Sequence, residues 1–215
     1  MEKPEKMEKT ENEQYYTREP SCESKPVPCA FVYGSRCITC ETDAGVFSRG
    51  ELDPGTRLLL DALPPLTGDV LDLGCGWGPI GIAVATANPA ARVIMADVNL
   101  RALGLARKNA EAAGVRCEIL ESDGMAALAG RRFDTVITNP PIRAGKQVIY
   151  KMFADAAAAL KPGGALYLVI RKQQGADSCA KYLKTLYDRV EVLSRDNGYR
   201  VLRASVPEED EPVNG

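Results

Sequence analysis

From about residue 53 onward, short apolar runs alternate with helical segments, and few folds accept such a chain. The runs "DVLDLG", "RVIMAD", "RCEILES", "FDTVITN" and "ALYLVI" are near-continuously apolar at their centres. Strands buried on both faces read this way, whereas half-exposed strands alternate polar and apolar residues. Helical stretches separate them: 57–63, 79–87, 100–114, about 146–160, and 177–190 with Cys179, Leu183, Leu186 and Val190 on one face. Pro79 is placed to open its helix, and Asn99 to cap the next. Two closing strands, "VEVLSRD" and "YRVLRAS", flank Asn197-Gly198, a hairpin turn pair. The pattern implies an α/β domain with a mainly parallel sheet, helices on both faces and an antiparallel edge. "CAFVY" and "CITCET" predict a further hairpin over about 28–46.

This leaves one domain over 21–207, a charged N-terminus (1–20) expected to be disordered, and an acidic, flexible tail (208–215). The N-terminus, "MEKPEKMEKTENEQ", has no apolar signal region, and no run approaches a membrane span. The expected location is the cytoplasm, which also suits seven cysteines, an odd number. The chain has no histidine, which excludes Ser-His-Asp and Cys-His catalysis. Cys37-x-x-Cys40 has a zinc-like spacing, with Cys22 and Cys29 nearby. Cys22-x6-Cys29 is not a usual second pair, however, and Cys37 and Cys40 fall in a strand, so no metal is expected. Residues 131–205 carry 14 Lys or Arg against six Asp or Glu, an excess able to attract a polyanion.

The first strand runs into "VLDLGCGWG", with glycines at 74, 76 and 78. Pro79 stands where a dinucleotide fingerprint needs glycine, and no Gly-Lys-Ser/Thr follows. The loop therefore admits a close ligand without the usual phosphate signatures. Asp97 ends the second strand, where this fold places a ribose-binding acid. The fourth strand stops at Asn139-Pro140-Pro141-Ile142. An amide oxygen and a carbonyl there are two hydrogen-bond acceptors, and the prolines stiffen them.

Asp72-x-Gly74-x-Gly76-x-Gly78 resembles motif I of class I S-adenosylmethionine-dependent methyltransferases. The resemblance covers about residues 45–205 and implies their Rossmann-like seven-stranded sheet. It places S-adenosylmethionine against Asp72, Gly74, Cys75, Gly76, Trp77, Gly78, Asp97, Val98, Asn99, Ser122, Asp123, Gly124 and Asn139. Asn139-Pro140-Pro141-Ile142 is similar to the Asn-Pro-Pro-aromatic motif of enzymes that methylate planar amines, with Ile142 in place of the aromatic. The segment 42–64 resembles the entry of the small-subunit ribosomal RNA guanine-N2 methyltransferases and their single-domain relatives. There Phe47, Asp53, Gly55 and Thr56 flank the cofactor. Arg143, Lys146, Arg171 and Lys172 then fall near an RNA substrate. The implied reaction is methylation of guanine N2 in 16S ribosomal RNA. Protein glutamine N5-methylation, adenine N6-methylation and non-catalytic cofactor or RNA binding remain open beside it.

Overall fold

The computed structural model describes residues 17–208. Residues 1–16 and 209–215, most of the expected disordered N-terminus and acidic tail, lie outside them. Residues 17–20 differ from that expectation. The Arg18 carbonyl accepts from Leu100 N at 2.9 Å, and the Arg18 side chain pairs with Glu121.

The chain begins with an antiparallel hairpin, β1 (Val27–Tyr33) and β2 (Arg36–Thr42). A two-stranded hairpin is marginal alone and needs a surface to pack on. The helix α3 (Leu100–Ala112) supplies it through Asn109, which is 1% exposed. The Asn109 amide oxygen accepts from Glu41 N at 2.7 Å, and its nitrogen donates to the Glu41 carbonyl at 2.9 Å and the Trp77 carbonyl at 3.0 Å. One side chain thus ties hairpin, helix and glycine loop together. Asn109 lay unnoticed within a helical run of the sequence.

The other elements follow the expected alternation: α1 (Pro54–Ala62), β3 (Gly68–Leu73), α2 (Pro79–Ala87), β4 (Ala91–Asp97), α3, β5 (Glu118–Glu121), β6 (Phe133–Thr138), α4 (Lys146–Ala159), β7 (Leu160–Arg171), α5 (Ala176–Leu183), β8 (Arg189–Asp196) and β9 (Tyr199–Ser205). The seven-stranded sheet has the order β5-β4-β3-β6-β7-β9-β8. Only the pairs β7–β9 and β8–β9 are antiparallel within it. Asn197 (φ 45°) and Gly198 (φ 79°) both occupy the left-handed region, as a type I′ turn requires.

Two elements depart from the sequence reading. The helix expected over 177–190 stops at Leu183. Bonds from Thr185 N to Tyr182 O and from Leu186 N to Leu183 O tighten its last turn. Val190 then pairs with Ala204 in the sheet. β7 begins at Leu160, so "KPGG" does not precede the strand but lies within it. Leu160 pairs with Phe133 and Ala165 with Thr135, and the register shift between them takes up the intervening residues.

β3 shows how one strand serves two cores. Val70 packs beneath α1–α3, while Leu71 and Leu73 face α4 and α5. The period-2 alternation therefore sends Asp72 to the α2 side. Where β3 and β6 order reverses, a crevice opens at the carboxyl ends of the strands.

Candidate active site

Two acids, Asp72 and Asp97, hold the glycine loop where it leaves β3. Gly74 N and Cys75 N both donate to the Ala96 carbonyl, at 2.8 and 3.0 Å. Gly78 has φ 91°, and α2 begins after it with Pro79 and no side-chain cap. The cap comes from β3 instead: Asp72 Oδ2 accepts from Gly81 N at 2.8 Å. A carboxylate there also meets the positive end of the helix. Gly81 is required because a Cβ would lie 2.4 Å from Met95 Cγ and 3.2 Å from Asp72 Oδ2.

Asp72 is 1% exposed, and its Oδ1 has no hydrogen-bond partner. Burial pushes its carboxyl up to about 7; the Gly81 N–H opposes this and the charge of Asp97 adds to it. A raised carboxyl keeps its proton in the folded chain at pH values where the unfolded chain has released it. Its contribution to stability is therefore complete below about pH 4 and is lost as pH rises to about 7. The difference is on the order of 4 kcal/mol. Asp72→Asn is expected to flatten the stability–pH curve between these values, measured by urea unfolding. An unchanged slope would remove Asp72 as its source.

Asp97 binds both walls of the loop. Its Oδ2 accepts from Gly76 N at 2.8 Å and its Oδ1 from Asn99 N at 2.9 Å. Burial raises this carboxyl, and the backbone N–H groups of Asn99, Gly76 and Val98 oppose the rise.

Beside Asp97 lies a cavity of about 480 Å³, within the range of small-molecule sites. Gly74, Val98, Ser122, Asp123 and Gly124 line it. The Ser122 hydroxyl is itself committed to the Gly124 carbonyl at 2.8 Å and to Ala127 N at 3.1 Å, which shapes the wall. The opposite wall holds Pro141 of the Asn-Pro-Pro turn and residues that the sequence reading missed: Ala144, Val148, Lys151, Met152 and Asp155. The last four follow an i, i+3, i+4, i+7 spacing on α4, with Met152 shared between this wall and the core that holds Ile149 and Phe153. Val148 is 46% exposed, an apolar side chain awaiting a cover. Carboxylate oxygens for a diol, apolar walls and a glycine edge together fit the adenosyl portion of S-adenosylmethionine.

Several expected cofactor residues point elsewhere. Trp77 is a correction: its indole is 1% exposed and packs edge-on against Phe31 at 6.2 Å. Its Nε1 donates to the Phe47 carbonyl at 2.9 Å. An indole is large and apolar, so the adjacent hairpin core claims it; burying it contributes roughly 4–6 kcal/mol. Cys75 is 3% exposed, and burial holds its thiol well above the ordinary value. Asn99 caps α3 at Ala102 N (3.1 Å) and donates to the Gly45 carbonyl at 2.9 Å. Asp72 lies beneath the loop. Gly55 sits under the Tyr199 ring, where a Cβ would come within 2.6 Å of Cε1. Phe47 and Thr56 also do not line the cavity.

Thr56 instead meets Asn139. The Asn139 Nδ2 donates to Thr56 Oγ1 at 2.9 Å and to Asp53 Oδ2 at 3.1 Å. A carboxylate only accepts, so the nitrogen must face it and the amide oxygen must face away. The loop beyond is an inverse γ-turn: Pro141 has φ −73° and ψ 78°, and Ile142 N donates to the Pro140 carbonyl at 2.8 Å. That carbonyl keeps its second lone pair. Thr138 Oγ1 bonds the Leu73 carbonyl at 2.7 Å, tying the two strand ends together.

Of the four expected substrate cations, Arg171 ends β7, Lys146 begins α4, and Arg143 and Lys172 lie in 3₁₀ turns. The Lys146 ammonium sits 5.0 Å from the Tyr150 ring, and the Arg171 guanidinium 4.5 Å from the Tyr199 ring. Lys172 N donates to the Gly198 carbonyl at 2.7 Å. Arg143 lies in the 3₁₀ turn 142–144. Ile142 and Lys146 also border a recess of about 130 Å³ between α4 and α5.

Two other places carry no comparable chemistry. A groove of about 990 Å³ lies at the amino ends of β4–β6, where Arg92 and Arg131 pair with Asp69 and Glu118. Cys29 and Cys40 stand opposite each other across the hairpin, but among the described residues no three His, Cys, Asp or Glu side chains are arranged to hold a metal. No helix among those residues is long and apolar enough to cross a membrane.

A Rossmann-like sheet in this order, with a glycine loop, a diol-ready acid and an Asn-Pro-Pro turn at the crevice, defines a class I methyltransferase. The methyltransferase small domain model matches residues 37–203, and the chain belongs to that family. It is 40% identical over 197 residues to YbxB of Bacillus subtilis (strain 168), covering 90% of this chain and 98% of that one. It is 44% identical over 133 residues to ribosomal RNA small subunit methyltransferase C of Hahella chejuensis (strain KCTC 2396), covering 60% of this chain and 39% of that one. Among solved structures it resembles T. thermophilus RsmC, a 16S rRNA N2 methyltransferase in complex with AdoMet and guanosine. That match has a TM-score of 0.77 at 30% identity and covers 87% of this chain and 52% of that one. The chain thus spans about half, or less, of the length of these ribosomal RNA methyltransferases.

Proposed function

We propose that this chain methylates ribosomal RNA of the small subunit, at the exocyclic N2 amine of guanine, using S-adenosylmethionine. The observation that carries this reading is the amide oxygen of Asn139, turned away from α1 because both amide N–H groups are engaged there, two residues before Pro141 in the cavity wall. Bound in the cavity, S-adenosylmethionine would supply an electrophilic methyl group. Asp97 would hold its ribose hydroxyls, and Val98, Val148 and Met152 would flank its adenine.

The work of Asn139 and Pro140 is on the amine. A guanine N2 nitrogen is planar, with its lone pair delocalised into the ring. Accepting one N–H at Asn139 Oδ1 and the other at the Pro140 carbonyl favours a pyramidal nitrogen, which draws the lone pair out of conjugation with the ring and leaves it available to attack the methyl carbon. Both acceptors are fixed before reaction, so positive charge growing on nitrogen meets dipoles already aimed at it. The proton later lost is acidic and needs no histidine. Arg143, Lys146, Arg171 and Lys172 would meet backbone phosphates, which position RNA without reading its sequence. Such a reaction belongs in the cytoplasm, with the ribosome.

The test is transfer of labelled methyl to 16S rRNA, small subunits, tRNA and protein from cells lacking this gene. Expected is label in small-subunit RNA, recovered as N2-methylguanosine. Label confined to protein would overturn the reading.

A further inference from the structure

We infer that Asp53 and Thr56, at the first turn of α1, are the positioning residues of the reacting amide, an inference that rests on the catalytic role given to Asn139. An asparagine amide has two orientations that differ little in shape. Only one offers oxygen to a substrate amine; the other offers N–H groups, which would repel it. A loop of prolines fixes the backbone but leaves this choice open.

The α1 terminus decides it. Asp53 is the N-cap of α1, and its Oδ2 accepts from Thr56 N at 2.8 Å. The same oxygen accepts from Asn139 Nδ2, and Thr56 Oγ1 takes the second amide N–H. Turning the amide over would aim its oxygen at a carboxylate, a repulsive pair. Thr56 is 2% exposed, so water is a poor replacement for its hydroxyl. Gly55 lets the turn come this close, because the Tyr199 ring occupies the space of a Cβ. Neither Asp53 nor Thr56 borders the cofactor cavity.

This role separates from cofactor binding in kinetics. Thr56→Val keeps the backbone N–H and the shape but removes the acceptor. It is expected to lower kcat about tenfold while KM for S-adenosylmethionine stays within about twofold, because a misplaced reacting group costs chemistry rather than binding. Thr56→Ser, which retains the hydroxyl, should restore kcat to within about twofold of wild type. A rise in KM for the cofactor with kcat unchanged would make Thr56 a cofactor ligand and overturn the inference. So would equal kcat for the valine and serine variants. A second readout needs no RNA. The side-chain amide hydrogens of Asn139, assigned by their loss in Asn139→Ala, should exchange slowly in the wild-type NMR spectrum and faster in Thr56→Val. Fast exchange in wild type would also overturn it. If wild-type protein methylates no RNA fraction, the proposed function fails and the exchange experiment still decides the positioning.

Discussion

Asn139→Ala is expected to lower the rate of methyl transfer by about 10²–10³-fold, the scale seen when one preorganised polar group of a reacting site is removed. Affinity for S-adenosylmethionine should stay within about threefold, because the Asn139 amide is tied to α1 and the cavity walls come from β3–β5 and α4. The split is the informative part. Fold stability should change little, since the two bonds lost are side chain to side chain and Asp53 still caps α1 at Thr56 N. Calorimetric titration of the cofactor beside single-turnover methylation measures both quantities. Near-wild-type transfer by the variant would remove Asn139 from the chemistry, and with it the reading of the Asn-Pro-Pro turn. A large loss of cofactor affinity would move it to the binding site instead.

Asp97→Ala is expected to have the opposite profile, weakening S-adenosylmethionine binding by about 100-fold or more. Hydrogen bonds to a charged group contribute about 1.5–3 kcal/mol each, and this carboxylate would lose two to ribose hydroxyls. It would also release Gly76 N and Asn99 N, which it holds at 2.8 and 2.9 Å. The glycine loop would then lose its shape as well as its ligand contact. Asp97→Asn, which keeps one acceptor, should fall between wild type and the alanine variant. Affinity of the alanine variant within threefold of wild type would place the ribose elsewhere.

The elements were legible wherever local chemistry dictates them. Pro79 and Asn99 mark helix starts because of what proline lacks and asparagine offers, and both stand where expected. Asn197-Gly198 turns the last hairpin because both residues tolerate positive φ. The helix over 177–190 was overread, since Leu186 and Val190 keep helical spacing past the point where Val190 joins the sheet. Periodicity records which residues are buried, not which neighbour buries them.

The site divides along the same line. Asp97, Val98, Ser122, Asp123 and Gly124 share one cavity wall, all five standing at a strand end or within three residues after it, where motif spacing is legible. It misplaced Trp77, which stands among the loop glycines yet packs into the hairpin core. It passed over Val148 and Met152, whose helix has a second face visible only once the crevice is known.

By itself, the sequence determined the alternation of strands and helices, the glycine loop and the Asn-Pro-Pro turn, all products of short-range backbone and burial preferences. Tertiary structure alone decided what those parts do to one another. Asp72 reaches from β3 to cap α2. Asp53 and Thr56, more than 80 residues before Asn139, turn its amide oxygen toward the crevice. Contacts at that separation arise from sheet order and helix placement, and no local pattern records them.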